Sequence, residues 1–267
     1  MSDIFNGKRF LTYWKHDLRR AWDTMGLNFL TCALFPVIYY VIHMIIKMIF
    51  STFGGIVHGP GIEVRLSLLA GISLVTAILM PKKIYGVVTD KDQGTQWFMT
   101  PASRLEKFIS MFVNLFVLIP VVFFILFLCS DALVCLLGPN CGKPVMNVIL
   151  PPMDLGGDIA INWTLFGFSA FCQTSALFLL GALVFKKNKV IYTILCVFAF
   201  QVVVLSAFST LSQCVDFDSF FEKLAEWIAG SVHNPELFVN SVAHLSTLAY
   251  MAIFGTGAWF ALKKRQL

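Results

Sequence analysis

Long apolar stretches separated by short groups of charged residues are the main pattern along this chain. A helix needs about 20 apolar residues to cross a bilayer core that is about 30 Å thick. Six stretches reach or approach that length. We therefore predict an all-α polytopic membrane protein with six transmembrane helices, in a single transmembrane domain over residues 1–267. The predicted spans are residues 27–50, 62–82, 104–137, 161–185, 190–211 and 240–262.

The residues before the first span predict an amphipathic helix over residues 8–23. At about 100° per residue, Trp14 and Trp22 fall on an apolar face, while Arg19 and Arg20 fall on the opposite, basic face. Tryptophan on one side and basic residues on the other are typical of a helix that lies in the headgroup layer. This interfacial helix is either a simple membrane anchor or a brace for a partner at the cytoplasmic surface.

The connection between the second and third spans, residues 87–103, is too poor in apolar residues to form a domain. Thr100 before Pro101 predicts the start of a helix, with Thr100 as the cap and Pro101 in the first turn. Trp97 and Phe98 precede this start as apolar residues at the membrane surface. Such residues either bury in headgroups or fill a groove on a partner.

The two outer loops, residues 138–160 and 212–239, differ in pattern. The first contains four prolines and several glycines without a helical period, which predicts irregular structure. In the second, aromatic and aliphatic residues recur at helical spacing after Asp218 and Ser219. We predict a short outer helix between spans five and six.

Composition and charge agree with a membrane protein. The chain is 58% hydrophobic and 13% charged, with a mean hydropathy of +0.78, which lies outside the range of soluble domains. Most of its 20 basic residues lie before span one, in alternate connections and at the end of the chain. Because cytoplasmic loops carry the excess of Lys and Arg, both termini are predicted to be cytoplasmic. The net charge of +5 reflects this pattern and does not indicate nucleic-acid binding.

Seven cysteines divide between the spans and the outer face. Three of them, Cys135, Cys141 and Cys214, lie at or beyond the outer ends of the spans. An oxidising compartment would permit one disulfide there, for which we name Cys141 and Cys214, with free thiols as the alternative. The other four fall inside spans and are predicted to pack as small apolar residues: Cys32, Cys129, Cys172 and Cys196.

The sequence contains no recognisable catalytic motif, and we predict no catalytic residue, cofactor or metal ion. The string GPNCGKP at Gly138 departs from a phosphate-binding loop in spacing and lacks its Ser or Thr. His43 and His244 both fall in outer halves of spans, where a metal bridge is the less favoured interpretation. Polar residues in or near spans, such as Asn114 and Asp131, are interpreted as interhelical hydrogen-bonding groups.

The order of these elements, and the string TPASRLEKFIS at residues 100–110, resembles the membrane subunits of ABC-2 type exporters, in particular ABC-2-like permeases of Bacteroidota. The resemblance implies a bacterial inner-membrane permease that works as a homodimer with a separate ATPase chain, surrounded by membrane lipid. It also implies that residues 87–103 are a coupling segment. The residues implied to contact the ATPase are Trp97, Phe98, Arg104 and Glu106.

Two other classes of function remain open from the sequence. One is a non-transporting membrane interaction or immunity-type protein that binds a peptide, a lipid or another membrane subunit. The other is an intramembrane enzyme, which would need a convergent set of titratable residues such as Asp131, His43 and His244. A co-purifying ATPase would favour the exporter over both.

Overall fold

Six helices in the described part of this computed structural model are long and apolar enough to cross a membrane. The predicted number of spans and the helical class are thereby confirmed. The structure describes residues 5–52, 61–90, 94, 97, 99–137, 144–149, 153–154, 160–161, 163–214, 219, 223 and 235–265.

The helices follow the chain in the order α1 (Gly7–Thr52), α2 (Ile62–Tyr85), α3 (Arg104–Val113), α4 (Ile119–Leu137), α5 (Met146–Ile149), α6 (Trp163–Val184), α7 (Lys189–Cys214) and α8 (Pro235–Arg265). A 3-10 turn, Gly86–Thr89, extends α2, and a π-helical turn, Asn114–Leu118, joins α3 to α4 as one span. Two short strands, β1 (Met153–Asp154) and β2 (Ala160–Ile161), pair antiparallel.

Helix α1 is continuous for 46 residues, which corresponds to a length of roughly 70 Å at 1.5 Å per residue. It continues through both the predicted interfacial helix at residues 8–23 and the predicted span at residues 27–50, and the position of residues 8–23 in the headgroup layer stays a prediction. Met25, between the two predicted segments, is fully buried, and Phe29 follows it into the core one turn later. This packing holds the chain helical where the sequence pattern changes from amphipathic to uniformly apolar.

Helix α6 lies at the centre of the bundle and packs against α2, α7 and α8, while α4 packs against α1. Large side chains fill the space between these helices, and the following are among those that are fully buried: Tyr85, Phe123, Phe127, Met25, Met111 and Leu115. By contrast, most of the apolar surface of α7 and of the second half of α1 is exposed. Those faces are suited to contact lipid or another membrane chain.

The outer face differs from the sequence-based prediction where the structure describes it. Residues 138–160 were expected to be irregular, but they contain α5 and the start of the small β pairing. The predicted outer helix in residues 212–239 lies outside the described residues for most of its length. The short outer helix stays a prediction.

Candidate functional site

A capping box at the start of α3 places Glu106 at the end of the bundle where the basic residues are concentrated. The Ser103 N–H donates to Glu106 Oε2 at 2.8 Å, and the Glu106 N–H donates to Ser103 Oγ at 3.3 Å. The predicted cap, Thr100, instead donates its hydroxyl to the Trp97 carbonyl. The Ser-x-x-Glu pattern at residues 103–106 is the sequence signal for this helix start, and the prediction of Thr100 overlooked it.

The same carboxylate binds the start of α1. The Arg9 guanidinium donates from Nη2 to Oε1 at 2.8 Å and from Nε to Oε2 at 2.9 Å, and the Asn6 N–H donates to Oε1 at 2.9 Å. The Glu106 side chain is fully buried, whereas that of Arg9 is 34% exposed. Bidentate Arg–carboxylate pairs are geometrically specific. They fix the beginning of α1 against the beginning of α3.

A second carboxylate, Asp17 on α1, is buried further along the same interface. Its Oδ2 accepts hydrogen bonds from Ser110 Oγ at 2.7 Å, Asn114 Nδ2 at 3.0 Å and the Tyr85 hydroxyl at 3.2 Å. Its Oδ1 accepts from Arg20 Nη2 at 2.8 Å. A buried charge is costly unless it is paired and hydrogen-bonded, and these donors from α1, α2 and the third span meet that requirement.

Asn114 begins the π-helical turn that joins α3 to α4. Its Oδ1 accepts a hydrogen bond from Trp14 Nε1 at 2.7 Å, while its Nδ2 donates to Asp17 and to Tyr85. The interpretation of Asn114 as an interhelical hydrogen-bonding group is confirmed. A π turn within a helix is rare and often accompanies a functional position.

Trp97 folds back onto α3. Its side chain is 4% exposed, the Lys107 ammonium lies 4.9 Å from its ring centroid, and the same ammonium donates to the Trp97 carbonyl at 3.0 Å. Lys107 is itself buried. The cation–π contact and the hydrogen bond attach the end of the connecting segment to the third span.

Lys189 makes the corresponding link for the fifth span. Asn188, in the left-handed region with φ 45°, turns the chain into α7. The Lys189 ammonium then donates to the Gly86 carbonyl and, at 3.1 Å, to Asp90 Oδ1. A Cβ on Gly86 would lie 3.3 Å from this nitrogen, so glycine leaves the room that the contact needs. We give the name junction to three neighbouring groups of contacts, around Glu106, Asp17 and Lys189. Its residues are Arg9, Asp17, Tyr85, Glu106, Asn114 and Lys189.

The residues predicted to contact an ATPase are separated by the structure. Trp97 and Glu106 are buried within the chain, where Trp97 contacts Lys107 and Glu106 binds Arg9. Their contact with an ATPase stays a prediction. Arg104 is half-buried, and Phe98 lies outside the described residues. Beside these positions, Met99 is 73% exposed.

The residues predicted to form an interfacial helix also take different roles. Trp14 and Arg20 are hydrogen-bonded within the junction region, whereas Arg19 and Trp22 are exposed. The buried face of this part of α1 is a row of residues spaced four apart, and it differs from the predicted apolar face with Trp14 and Trp22. The row consists of Tyr13, Asp17, Ala21 and Met25.

A buried ion pair lies near the opposite, outer end of the bundle. Arg65 Nη1 on α2 donates to Asp131 Oδ1 on α4 at 3.0 Å, and the Val145 N–H donates to Asp131 Oδ2 at 2.8 Å. Arg65 Nη1 also lies 3.0 Å from Cys135 Sγ. Asp131 was a candidate polar residue in the sequence, but Arg65 was not recognised as its partner.

Cys135 is disulfide-bonded, although the sequence analysis gave it no partner. The predicted bond between Cys141 and Cys214 lies outside the described residues, because Cys141 and the side chain of Cys214 belong to the undescribed part. The four cysteines expected inside spans are free: Cys32, Cys129, Cys172 and Cys196.

An apolar groove of about 350 Å³ separates α3 from α8. Phe108 and Trp259 meet across it edge to face, with ring centroids 5.4 Å apart. The remaining lining residues are Phe112, Leu248, Met251, Ala252, Gly255 and Thr256. It is open on one side to the surroundings of the bundle, which for these helices is the membrane.

Among the described residues, no group of three or more His, Cys, Asp and Glu side chains is placed to hold a metal ion. No protein-family model, no curated protein and no solved structure matches the chain.

Proposed function

We propose that this chain is the membrane-spanning permease subunit of an ABC-2 type ATP-driven exporter, which works as a homodimer with a separate ATPase subunit. The observation that carries the proposal is the junction. The segment between α2 and α3 bonds to the third span through Trp97 and Ser103 and to the fifth through Asp90. The junction in turn bonds the third span to the first and the second.

Such a connection has a mechanical consequence. Glu106 links the start of α3 to α1, Asp17 links α1 to α2 and the third span, and Lys189 links α7 to the turn after α2. Partly buried charge-assisted hydrogen bonds of this kind resist separation more than surface ion pairs do. A partner that displaces the segment would therefore move four spans together, which is the work an energy-supplying subunit has to perform.

The proposal places the chain in a bacterial inner membrane with both termini in the cytoplasm, because the basic residues lie at the junction end. The exposed apolar faces of α1 and α7 are available for a second copy of the chain. The chain itself is not proposed to be an enzyme. ATP hydrolysis is assigned to the separate subunit.

Affinity purification of the tagged chain from native membranes tests the proposal. We expect an ATPase to co-purify in fixed proportion and its ATP hydrolysis to be measurable in the eluate. Met99→Glu should remove at least about nine tenths of the co-purifying ATPase. The new carboxylate would be buried without a partner in a contact surface that is apolar in the wild-type chain. Leu11→Glu, which makes the same change at an exposed site on α1, is the control.

Two results would contradict the proposal. One is purification of the intact, folded chain without any ATPase. The other is equal loss of the ATPase in both variants, which would indicate a general effect of added charge.

The second candidate is a non-transporting membrane protein that binds a lipid, a peptide or another membrane subunit. The apolar groove between α3 and α8 favours this candidate, because a groove of that volume is in the size range of ligand sites. The absence of an ATPase from the purified chain would leave this function in first place.

A further inference from the structure

The groove between α3 and α8 ends beside two basic residues. On α3, Arg104 lies one turn before Phe108, which in turn lies one turn before Phe112, so the three side chains share a face. On α8, Lys263 lies one turn after Trp259. Each of the two helices that line the groove therefore carries a basic residue one turn beyond the groove, towards the junction.

Among the residues that the structure describes, neither of these two cations forms an ion pair. The ion pairs formed by the described residues involve Arg9, Arg20, Arg65 and Lys189, and neither Arg104 nor Lys263 belongs to them. Glu106, although close to Arg104 in sequence, is already occupied by Arg9 and by two backbone N–H groups. The cations at the groove mouth are thus available to a ligand.

We propose that this groove binds one anionic phospholipid of the surrounding bilayer, with an acyl chain between α3 and α8 and the phosphate beside Arg104 and Lys263. The apolar lining and the lateral opening fit an acyl chain. Gly255 and Ala252 are small residues on the α8 wall, and even a Cβ added to Gly255 would stay 4.0 Å from Phe108 Cζ, so the groove has room at this point. Trp259 lies one turn from the charges, at the depth where tryptophan meets headgroups.

Charge complementarity distinguishes this occupant from an uncharged one. Arg donates in a planar fork that matches a phosphate, and Lys supplies a compact positive charge. Basic residues at a membrane surface favour anionic lipids. The inference does not depend on an ATPase, because it concerns the isolated chain.

Native mass spectrometry of the purified chain in detergent tests this site. Phosphatidylglycerol and phosphatidylcholine with identical acyl chains are titrated separately, and the fraction of chain carrying one lipid is measured. We expect phosphatidylglycerol to bind at least about tenfold more tightly. Arg104→Gln and Lys263→Gln should each weaken phosphatidylglycerol about fivefold and leave phosphatidylcholine unchanged. Lys264→Gln, one residue along and about 100° around the helix, should have no effect.

A second pair of variants tests the acyl-chain part of the groove. Ala252→Phe fills the groove and should reduce binding of both lipids about tenfold, whereas Ala249→Phe, an exposed alanine beyond the groove lining, should not. Equal binding of the two lipids, or an equal effect of Lys263→Gln and Lys264→Gln, would overturn the proposal. The proposal would also be overturned if Ala252→Phe changed the oligomeric mass and left lipid binding unchanged. That result would show that the groove forms a contact between two copies of the chain.

Discussion

Asp17 is the residue on which the junction depends most. It is 1% exposed, and four side chains from three spans donate hydrogen bonds to its two oxygens. Its two oxygens are the common acceptors for all four groups. An amide nitrogen in place of one oxygen would bring a donor against buried donors.

Asp17→Asn is expected to lower the free energy of unfolding by about 3 kcal/mol, because hydrogen bonds to a charged group are lost and buried donors remain unsatisfied. The measurement is chemical denaturation of the purified chain in detergent. Asp23→Asn makes the same change at an exposed position of α1 and should alter stability by less than about 0.5 kcal/mol. Equal effects of the two substitutions would show that the cluster does not stabilise the fold.

The sequence identified some of these residues but not their partners. Asn114 was recognised because an amide in an apolar stretch needs a hydrogen bond. Asp17 was not recognised, because its donors Ser110 and Asn114 lie more than 90 residues away. Arg65 was passed over for the same reason, since its partner Asp131 lies on another span. Pairing across such distances is decided by tertiary packing, which one sequence does not display.

At the scale of elements, hydropathy was sufficient to locate the six spans but not to identify the residues at which their helices begin and end. The third span was predicted over residues 104–137 and the structure has helices over that range, because a long apolar stretch needs no other information. The interfacial helix and span one were predicted as separate segments, whereas α1 continues through both, with Met25 buried between them. The start of α3 was misplaced at Thr100 although the capping box at Ser103 was readable.

The contact between α6 and α7 depends on one glycine. A Cβ on Gly181 would lie 2.9 Å from the Cβ of Thr193, closer than side chains normally approach. Small residues let helices approach closely. A single sequence does not show that Gly181 makes such a contact while Gly167, on the same helix, has nothing within 4 Å of an added Cβ.

Gly181→Ala should therefore lower the free energy of unfolding by about 1–3 kcal/mol, the usual cost of overpacking. Denaturation in detergent provides the measurement, and Gly167→Ala serves as the control with no expected loss. Adding Thr193→Ala should recover part of the stability, since it removes two of the three atoms that the new Cβ meets. A Gly181→Ala protein as stable as Gly167→Ala would show that α6 and α7 adjust freely.

At the scale of the whole molecule, the two ends of the bundle hold different kinds of polar structure. The junction end collects two buried carboxylates, two bonded arginines and a bonded lysine from three spans. The outer end holds the Arg65–Asp131 ion pair and the disulfide-bonded Cys135. Because disulfides persist in oxidising compartments, the bonded Cys135 favours the prediction that this end faces away from the cytoplasm, by an argument that does not use the positive-inside rule.

Both arguments predict the same orientation, which cysteine labelling can measure. Lys8→Cys on α1 and Lys264→Cys on α8 should resist a membrane-impermeant maleimide in intact cells and react after permeabilisation. Lys223→Cys, between α7 and α8, should react without permeabilisation, because it lies on the opposite side; all three positions are exposed. The wild-type chain, labelled in parallel, accounts for its own cysteines. Labelling of Lys8→Cys in intact cells would reverse the orientation and remove the cytoplasmic surface that the proposed ATPase requires.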